Sequence, residues 1–181
     1  VQGLIPSGVK LFTKAEWFNP GGSVKDRAAL NMIRDLEIHG KLLPGGTLLD
    51  ASSGNTGIAY AMIAAARGYR LVLCLPKNAN RERQQLLASY GATIVHTSPL
   101  EGSDGAIREA IRLASENPDW VYVDQYNNQA NWRAHFEGTG PEIVRQTQGT
   151  ITHFVATVGT GGTFTGVGRY LRATLPKVQL V

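Results

Sequence analysis

A lysine in an unusual position is the first residue of this sequence that could do chemistry. Residues 19–27 read NPGGSVKDR, a tight turn that leads into a predicted helix with Ser23 as its N-cap and Asp26 facing its free N–H groups. Lys25 lies in the first turn of that helix, where the positive end of the helix dipole disfavours a cation. The neutral amine is the nucleophile needed for a Schiff base, whereas the alternative is an ordinary solvated lysine offset by Asp26.

A second loop is suited to binding a carboxylate. Residues 52–57 read SSGNTG, follow a predicted strand and open a helix. Several backbone N–H groups of such a loop point towards the end of the sheet, and its hydroxyl and amide side chains add neutral donors. The alternative is a simple helix cap, although one cap needs only one such residue.

A third loop has the composition of a phosphate cradle rather than a flexible turn. Residues 159–163 read GTGGT and lead into another helix. The loop is not a P-loop, because no Gly-Lys-Ser/Thr follows, and Phe164 replaces the third glycine of the dinucleotide fingerprint. A Schiff-base lysine together with a phosphate cradle indicates a phosphorylated aldehyde cofactor, of which pyridoxal phosphate (PLP) is the common one.

Composition and charge argue against several other functions. The 181 residues are 43% hydrophobic and 18% charged, with a net charge of +4 and no block of like charge, so we expect neither nucleic-acid nor membrane binding. The four histidines lack metal-ligand spacing, and we expect no metal site. Cys74 is the single cysteine, which excludes a disulfide framework within the chain and agrees with a cytoplasmic location.

Strands and helices alternate in the predicted secondary structure, which is typical of an α/β fold with a doubly wound, mostly parallel sheet. The predicted strands span residues 9–17, 47–51, 70–75, 92–96, 120–124 and 152–158, with another starting at 177. The predicted helices run from Lys25 to near Gly40, from the 52–57 loop to about Arg67, and over 80–90, 104–116, 131–146 and about 163–174. A polar, turn-forming stretch at 127–131 is the predicted domain boundary.

The three loops together resemble the signatures of the cysteine synthases (O-acetylserine sulfhydrylases), PLP enzymes of fold-type II, the tryptophan-synthase-β-like group. The NPGGSVKDR, SGNTG and GTGGT motifs occur in the family's order along nearly the whole chain. Residues 80–84, NRERQ, and 138–143, GTGPEI, are more similar to the B-type enzymes than to the A-type. The resemblance implies two doubly wound, mostly parallel αβα domains. An arm at 1–18 would pack on the C-terminal domain, the N-terminal domain would span 19–129, and 130–181 would begin a C-terminal domain that is incomplete here.

The resemblance also implies a role for each motif. Lys25 would hold PLP as a Schiff base and later act as the base on the substrate α-carbon, and Asn55 would hydrogen-bond the ring hydroxyl of the cofactor. Gln125 would complete the substrate-carboxylate site. The residues implied to bind the cofactor phosphate are Gly159, Thr160, Gly161, Gly162 and Thr163. The residues implied to form the carboxylate loop are Ser52, Ser53, Gly54, Asn55 and Thr56.

The function implied by the resemblance is that of a PLP-dependent transferase of cysteine biosynthesis. O-acetylserine would lose acetate and take up a sulfur nucleophile, sulfide or thiosulfate, in a homodimer that binds small molecules. The alternatives are a cystathionine β-synthase, which joins serine to homocysteine, and a non-catalytic relative that acts as a binding module. Thr160 and Thr163 count against a serine/threonine dehydratase, whose phosphate loop is usually all glycine.

The sequence departs from the family pattern in two respects. Ser52 replaces the usual threonine, which keeps the hydroxyl and loses a methyl group, so carboxylate binding should persist. The family's N-terminal Thr-Pro-Leu segment, and the later serine that contacts the pyridine nitrogen, have no counterpart in these 181 residues. We therefore expect this piece alone to make an incomplete site and to be active only within a longer chain.

Overall fold

The computed structural model describes Gly3 and residues 5–181, which form two sheets with helices packed against them. Short 3₁₀ turns lie at Glu16–Phe18 and Pro99–Glu101. The strands are β1 Thr47–Ala51, β2 Arg70–Pro76, β3 Thr93–Thr97, β4 Trp120–Tyr122, β5 His153–Phe154 and β6 Gln179–Leu180. The helices are α1 Lys25–Ile38, α2 Asn55–Arg67, α3 Arg81–Ser89, α4 Gly102–Glu116, α5 Gln129–Ala134, α6 Gly140–Gln146 and α7 Gly162–Thr174, with a π-helical turn at His135–Thr139.

The larger sheet has the strand order β3-β2-β1-β4, and its three pairings are all parallel. β1 lies between β2 and β4, with Leu49 opposite Val72 on one side and Tyr122 on the other. Every residue of β1 is buried, as expected of a parallel strand whose two faces are covered by helices. This sheet confirms the predicted α/β class with a mostly parallel arrangement.

Each face of the larger sheet has its own hydrophobic core. Leu48 packs with Met32 of α1 and with α2 on one face. Leu49, the next residue of β1, packs with Ala106 and Ala110 of α4 on the other. Burying a large apolar side chain contributes about 1.5–3 kcal/mol. Because helices cover both faces, the strand ends and the loops that leave them are held in fixed places.

The smaller sheet pairs β5 with β6 in parallel, with His153 opposite Gln179. Val167 and Leu171 of α7 pack with Val178 in a separate core. The strands of the larger sheet all precede residues 127–131, and those of the smaller sheet all follow them. The predicted division into 1–18, 19–129 and 130–181 agrees with that order but stays a prediction.

The predicted strand at 9–17 is wrong. Residues 9–15 pair with no strand in the described part of the chain, and Glu16–Phe18 is a 3₁₀ turn. Val9, Leu11 and Phe12 each expose more than half of their surface. Alternation of apolar and polar residues becomes a strand only where a neighbouring strand accepts its hydrogen bonds, and this segment has no such neighbour among the described residues.

Two predictions in the second half of the chain also need correction. The strand predicted at 152–158 is only His153–Phe154, because the described part of β6 offers a partner of two residues. The single helix predicted at 131–146 is interrupted by the π-helical turn. Pro141 follows that turn and has no N–H to donate to the carbonyl of Glu137. The missing donor is a physical reason for the irregular helical hydrogen bonds at this point. The other predicted elements occur, with ends shifted by at most two residues.

None of the helices in the described part of the chain combines the length and the apolar character that crossing a membrane requires.

Candidate active site

The turn before α1 is built by its own polar side chains. The backbone N–H of Lys25 donates to the Ser23 hydroxyl at 3.2 Å, so Ser23 caps the helix although the N-cap position itself is Val24, one residue later than predicted. Asp26 does not face the helix N-terminus as predicted, because its carboxylate accepts the N–H of Gly21 at 2.6 Å instead. These contacts fix the turn and make Lys25 the first residue of α1.

Lys25 is partly buried where α1 begins. Burial lowers the pKa of its ammonium group below the usual range, because desolvation penalises the charged form. No described carboxylate opposes this shift. The sequence predicted the same direction from the helix dipole, and both effects favour the neutral amine.

The loop between β1 and α2 leaves several donors free. The Ser52 hydroxyl accepts the N–H groups of Gly54 at 3.3 Å and Gly57 at 3.0 Å, so this one side chain caps α2. Thr56 is buried, whereas Asn55 is exposed at the start of the helix. The backbone N–H groups of Ser53, Asn55 and Thr56 donate to no described residue. A carboxylate could therefore be bound here without breaking an existing hydrogen bond.

Gln125 meets this loop because β4 lies next to β1 in the sheet. Its side-chain Nε2 donates to the carbonyl of Ala51 at 2.9 Å, and its backbone N–H donates to Asp50 at 3.3 Å. Gln125 is buried, with 5% of its surface exposed. The side-chain oxygen and the second hydrogen of Nε2 make no hydrogen bond among the described residues and can serve a ligand.

Asp50 lies beneath this loop as a buried carboxyl group. Burial raises the pKa of Asp50 to about 7, although hydrogen bonds from the N–H of Ala51 and from Gln125 act in the opposite direction. The hydroxyl of Tyr60 faces the same carboxyl group, and the charge of Asp124 raises the pKa further. The sequence analysis gave Asp50 no role.

The glycine loop leads into α7, whose first residue is Gly162. Gly161 has a φ of 80°, a left-handed conformation that glycine adopts readily. The backbone N–H groups of Thr160, Gly161 and Thr163 donate to no described residue. Free N–H groups at the start of a helix are suited to an anion such as phosphate.

Most of the predicted site residues meet at one cavity with a volume of about 280 Å³. Lys25 and Gln125 line it, as do Gly159 and Thr160 and the whole loop from Ser52 to Thr56. Gly161, Gly162 and Thr163 are not among the lining residues. The lining residues that the sequence analysis did not assign are Ala51, Pro76, Ser103, Ala106, Ile107 and Tyr126.

The glycine loop also contacts two residues that sequence reasoning missed, Asn131 and His135. Asn131 Nδ2 donates to Thr160 Oγ1 at 3.0 Å, and His135 Nε2 lies 3.4 Å from Thr163 Oγ1. The other ring nitrogen of His135 is 2.9 Å from the hydroxyl of Thr139, four residues later in the chain. This His–Thr spacing is the one feature of the local sequence that could have indicated a role for His135. Nothing near Asn131 in the sequence indicates a partner 29 residues away.

His135 is uncharged at neutral pH. Burial lowers its pKa to about 4, and the nearby charges of Lys25 and Arg27 lower it further. A neutral imidazole next to the glycine loop adds no charge to the site, so its contribution there is a hydrogen bond.

The groups around the cavity fit PLP. One side presents the partly buried amine of Lys25, which can form a Schiff base with an aldehyde. Another presents Gly159 and Thr160 at the start of α7, with free N–H groups for a phosphate. A third presents the donors of the 52–56 loop, which suit the carboxylate of an amino acid.

Comparison with known proteins gives a consistent result. The family described as "Pyridoxal-phosphate dependent enzyme" matches residues 5–181. The chain is 51% identical over 178 residues to a cysteine synthase of Aquifex aeolicus, covering 98% of this chain and 54% of that protein. It is 48% identical over 175 residues to cysteine synthase B of Salmonella typhimurium, covering 97% of this chain and 57% of that protein.

The fold is also similar to that of a solved structure. The crystal structure of O-ureido-L-serine synthase superposes with a TM-score of 0.89 at 45% identity, covering 92% of this chain and 53% of that one. The chain thus spans about half the length of the relatives it matches.

Proposed function

This chain belongs to the family of pyridoxal-phosphate dependent enzymes, and we propose that its cavity is part of the active site of a cysteine synthase. The whole enzyme would convert O-acetyl-L-serine and a sulfur nucleophile, with L-cysteine and acetate as the products when that nucleophile is sulfide. The observation that carries the proposal is that Lys25, the 52–56 loop and the start of the glycine loop line the same cavity. The identity to cysteine synthases, including a B-type enzyme, adds support.

Lys25 would hold the cofactor and move a proton. Its burial favours the neutral amine, which is the form that can attack the cofactor aldehyde. When bound, PLP supplies an electron sink for negative charge on the substrate α-carbon. The amine of Lys25, once released from the cofactor, would take the proton from that carbon.

The two loops would position the two anions of the reaction. Gly159 and Thr160 line the cavity and would contact the cofactor phosphate, aided by the free N–H groups at the start of α7. The free N–H groups of the 52–56 loop would bind the substrate carboxylate, and Gln125 would complete that site with the unpaired second hydrogen of its Nε2 group. Asn55 is exposed, so a contact with the ring hydroxyl would also cover this side chain.

We further propose that the whole protein is a cytoplasmic homodimer that acts on small molecules, without nucleic-acid or membrane partners. Leu11, Phe12, Trp17 and Phe18 each expose more than half of their surface, and exposed apolar side chains are ones that a second copy could cover. Light scattering on the complete natural chain should give twice the monomer mass. A monomeric mass at micromolar concentration would contradict the dimer.

The test of the function uses the complete natural chain. The purified protein should carry the visible absorbance of a lysine-bound PLP and should form cysteine from O-acetylserine and sulfide. Lys25→Ala should lose both, whereas Lys41→Ala, a change in the loop after α1, should keep both. A colourless protein that takes up no PLP, or a Lys25→Ala variant with unchanged activity, would overturn the proposal.

A cystathionine β-synthase is the second candidate, because its substrates also carry the α-carboxylate that the 52–56 loop suits. Serine with homocysteine should be a poorer substrate pair than O-acetylserine with sulfide or thiosulfate. The ratio of kcat/KM values for the pairs decides between the two activities, and a larger value for serine with homocysteine would favour the second candidate.

A further inference from the structure

Asn131 connects the two sides of the cavity through a single side chain. It lies in α5 and is buried, with 6% of its surface exposed. Its Nδ2 group donates one hydrogen to the backbone carbonyl of Gln125 at 2.8 Å and the other to the Thr160 hydroxyl oxygen at 3.0 Å. Gln125 and Thr160 both line the cavity, whereas Asn131 does not.

The orientation of the Asn131 amide follows from its partners. The carbonyl of Gln125 can only accept, so the amide nitrogen and not the amide oxygen must face it. The amide oxygen then lies against Gly162, where a Cβ atom would overlap it. Position 162 must therefore lack a Cβ atom, as glycine does, to leave room for the Asn131 amide.

These contacts decide what the Thr160 hydroxyl can do. A hydroxyl has one hydrogen to donate and two lone pairs that accept. Thr160 Oγ1 accepts from Asn131 Nδ2 at 3.0 Å and, at the longer distance of 3.5 Å, from the N–H of Gly162. With both lone pairs engaged, the hydroxyl hydrogen is left to donate, and Thr160 lines the cavity.

We propose that Asn131 is a positioning residue that makes the Thr160 hydroxyl a dedicated donor to the cofactor phosphate. The inference rests on the proposed function, because it takes the glycine loop to be the phosphate site. Asn131 itself would not touch the phosphate. Its connection to Gln125 would also tie the position of the phosphate loop to that of the substrate-carboxylate site.

Two substitutions of Asn131 separate this role from simple packing. In Asn131→Ala the hydroxyl loses its donor partner and becomes free to rotate, so PLP should dissociate about threefold to tenfold more readily. In Asn131→Asp the new carboxylate would accept the Thr160 hydrogen, turn it away from the phosphate and add a negative charge. The PLP dissociation constant of Asn131→Asp should exceed that of Asn131→Ala by about tenfold or more.

The readouts are the PLP dissociation constant of the complete natural chain and the ³¹P chemical shift of bound PLP, which responds to hydrogen bonding at the phosphate. Asn31→Ala is the matched control, because the Asn31 amide donates to the neighbouring carbonyl of Ala130 at 2.8 Å but does not reach the loop. Its dissociation constant and ³¹P shift should stay at the wild-type values, within about twofold for the constant.

A double substitution tests whether Asn131 acts through Thr160. In a Thr160→Val background, which lacks the hydroxyl, Asn131→Ala should have no further effect on the dissociation constant. A Thr160→Ser background keeps the hydroxyl and should restore the effect. These backgrounds also keep the proposal testable if Asn131→Asp does not fold.

Wild-type protein that binds no PLP would overturn the proposed function and this inference with it. Wild-type protein that binds PLP, while Asn131→Ala and Asn131→Asp match Asn31→Ala in affinity and ³¹P shift, would overturn this inference alone. Equal effects of Asn131→Ala in the wild-type and Thr160→Val backgrounds would do the same.

Discussion

Arg27 is expected to contribute strongly to stability because it joins three separate parts of the chain. Its Nε donates to Glu16 at 2.8 Å, and its two terminal nitrogens donate to the two oxygens of Glu142 at 3.0 and 2.8 Å. Lys14 adds a further contact to Glu142 at 2.8 Å. The network joins α1, two residues after Lys25, to α6 and to the segment that precedes α1.

The pKa of Glu142 gives the size of the effect. Hydrogen bonding from Arg27 is the main reason that this pKa falls from 4.5 to about 2. At about 1.4 kcal/mol per pKa unit, a shift of this size corresponds to roughly 3 kcal/mol, and solvent at this partly exposed side chain reduces it. Replacing Arg27 by methionine would also take the guanidinium away from two partly buried carboxylates and leave Glu142 with Lys14 as its cation, so we expect a loss of about 2–4 kcal/mol in the free energy of unfolding.

The pH dependence has a definite sign. The pKa of Glu142 is lower in the folded chain than the ordinary 4.5, so its ionised form stabilises the fold. That contribution is complete above about pH 4.5 and is lost as the pH falls towards 2. The difference in stability between wild type and Glu142→Gln should therefore be large at pH 7, about half as large at pH 3 and small at pH 2.

The assay is urea unfolding of the complete natural chain as wild type, Arg27→Met, Glu142→Gln and the double variant. The two substitutions should be coupled by about 1–3 kcal/mol at pH 7. Arg112→Met is the control, because Arg112 pairs with Glu109 and Glu116 in similar geometry on the exposed face of α4, and its unfolding midpoint should stay near that of wild type. A coupling near zero, or an equally large effect of Arg112→Met, would refute the reasoning.

Three further predictions concern buried groups. The pKa of Asp50 is raised to about 7 by burial, so wild type should lose about 2 kcal/mol relative to Asp50→Asn between pH 5 and pH 7, measured by urea unfolding, and a parallel pH dependence of the two proteins would contradict this. A Cβ atom at Gly166 would overlap the Trp132 carbonyl, so Gly166→Ala should lower the unfolding midpoint strongly. Gly138→Ala should not, because its Cβ atom would come no closer than 3.9 Å to a neighbouring side chain, that of Arg27. Cys74 is buried and its pKa is raised to about 12, so iodoacetamide should modify it only after unfolding, and rapid modification of the native protein would contradict its burial.

The larger sheet was predictable because its signals are local. β1 and β2 are mostly apolar and are bounded by turns, and both occur within one residue of their predicted ends. The segment at 9–17 has an equally clear alternation and forms no strand, because pairing depends on a distant partner that the local pattern cannot indicate. For the same reason, only residues 153–154 of the strand predicted at 152–158 are paired.

The candidate site was predictable to the extent that each of its parts sits on one loop. Lys25, the 52–56 loop and the glycine loop were all identified from residue types and spacing, and each lies at or beside the cavity. Asn131 and Asp50 were not, because their significance depends on what packs against them. A buried asparagine or aspartate has no signature in the sequence until the strand order is known.

The strand order is what converts separate loops into one site. The order β3-β2-β1-β4 places β4 beside β1 although they lie far apart in the sequence, so Gln125 reaches the carbonyl of Ala51 at 2.9 Å. On the far side, Asn131 ties the same residue to Thr160. Alternation of strands and helices predicts a parallel sheet, but it does not predict the order of the strands within that sheet. The hydrogen bonds of Gln125 therefore contain information that no motif in this sequence carries, and a different strand order would leave the same motifs without a common cavity.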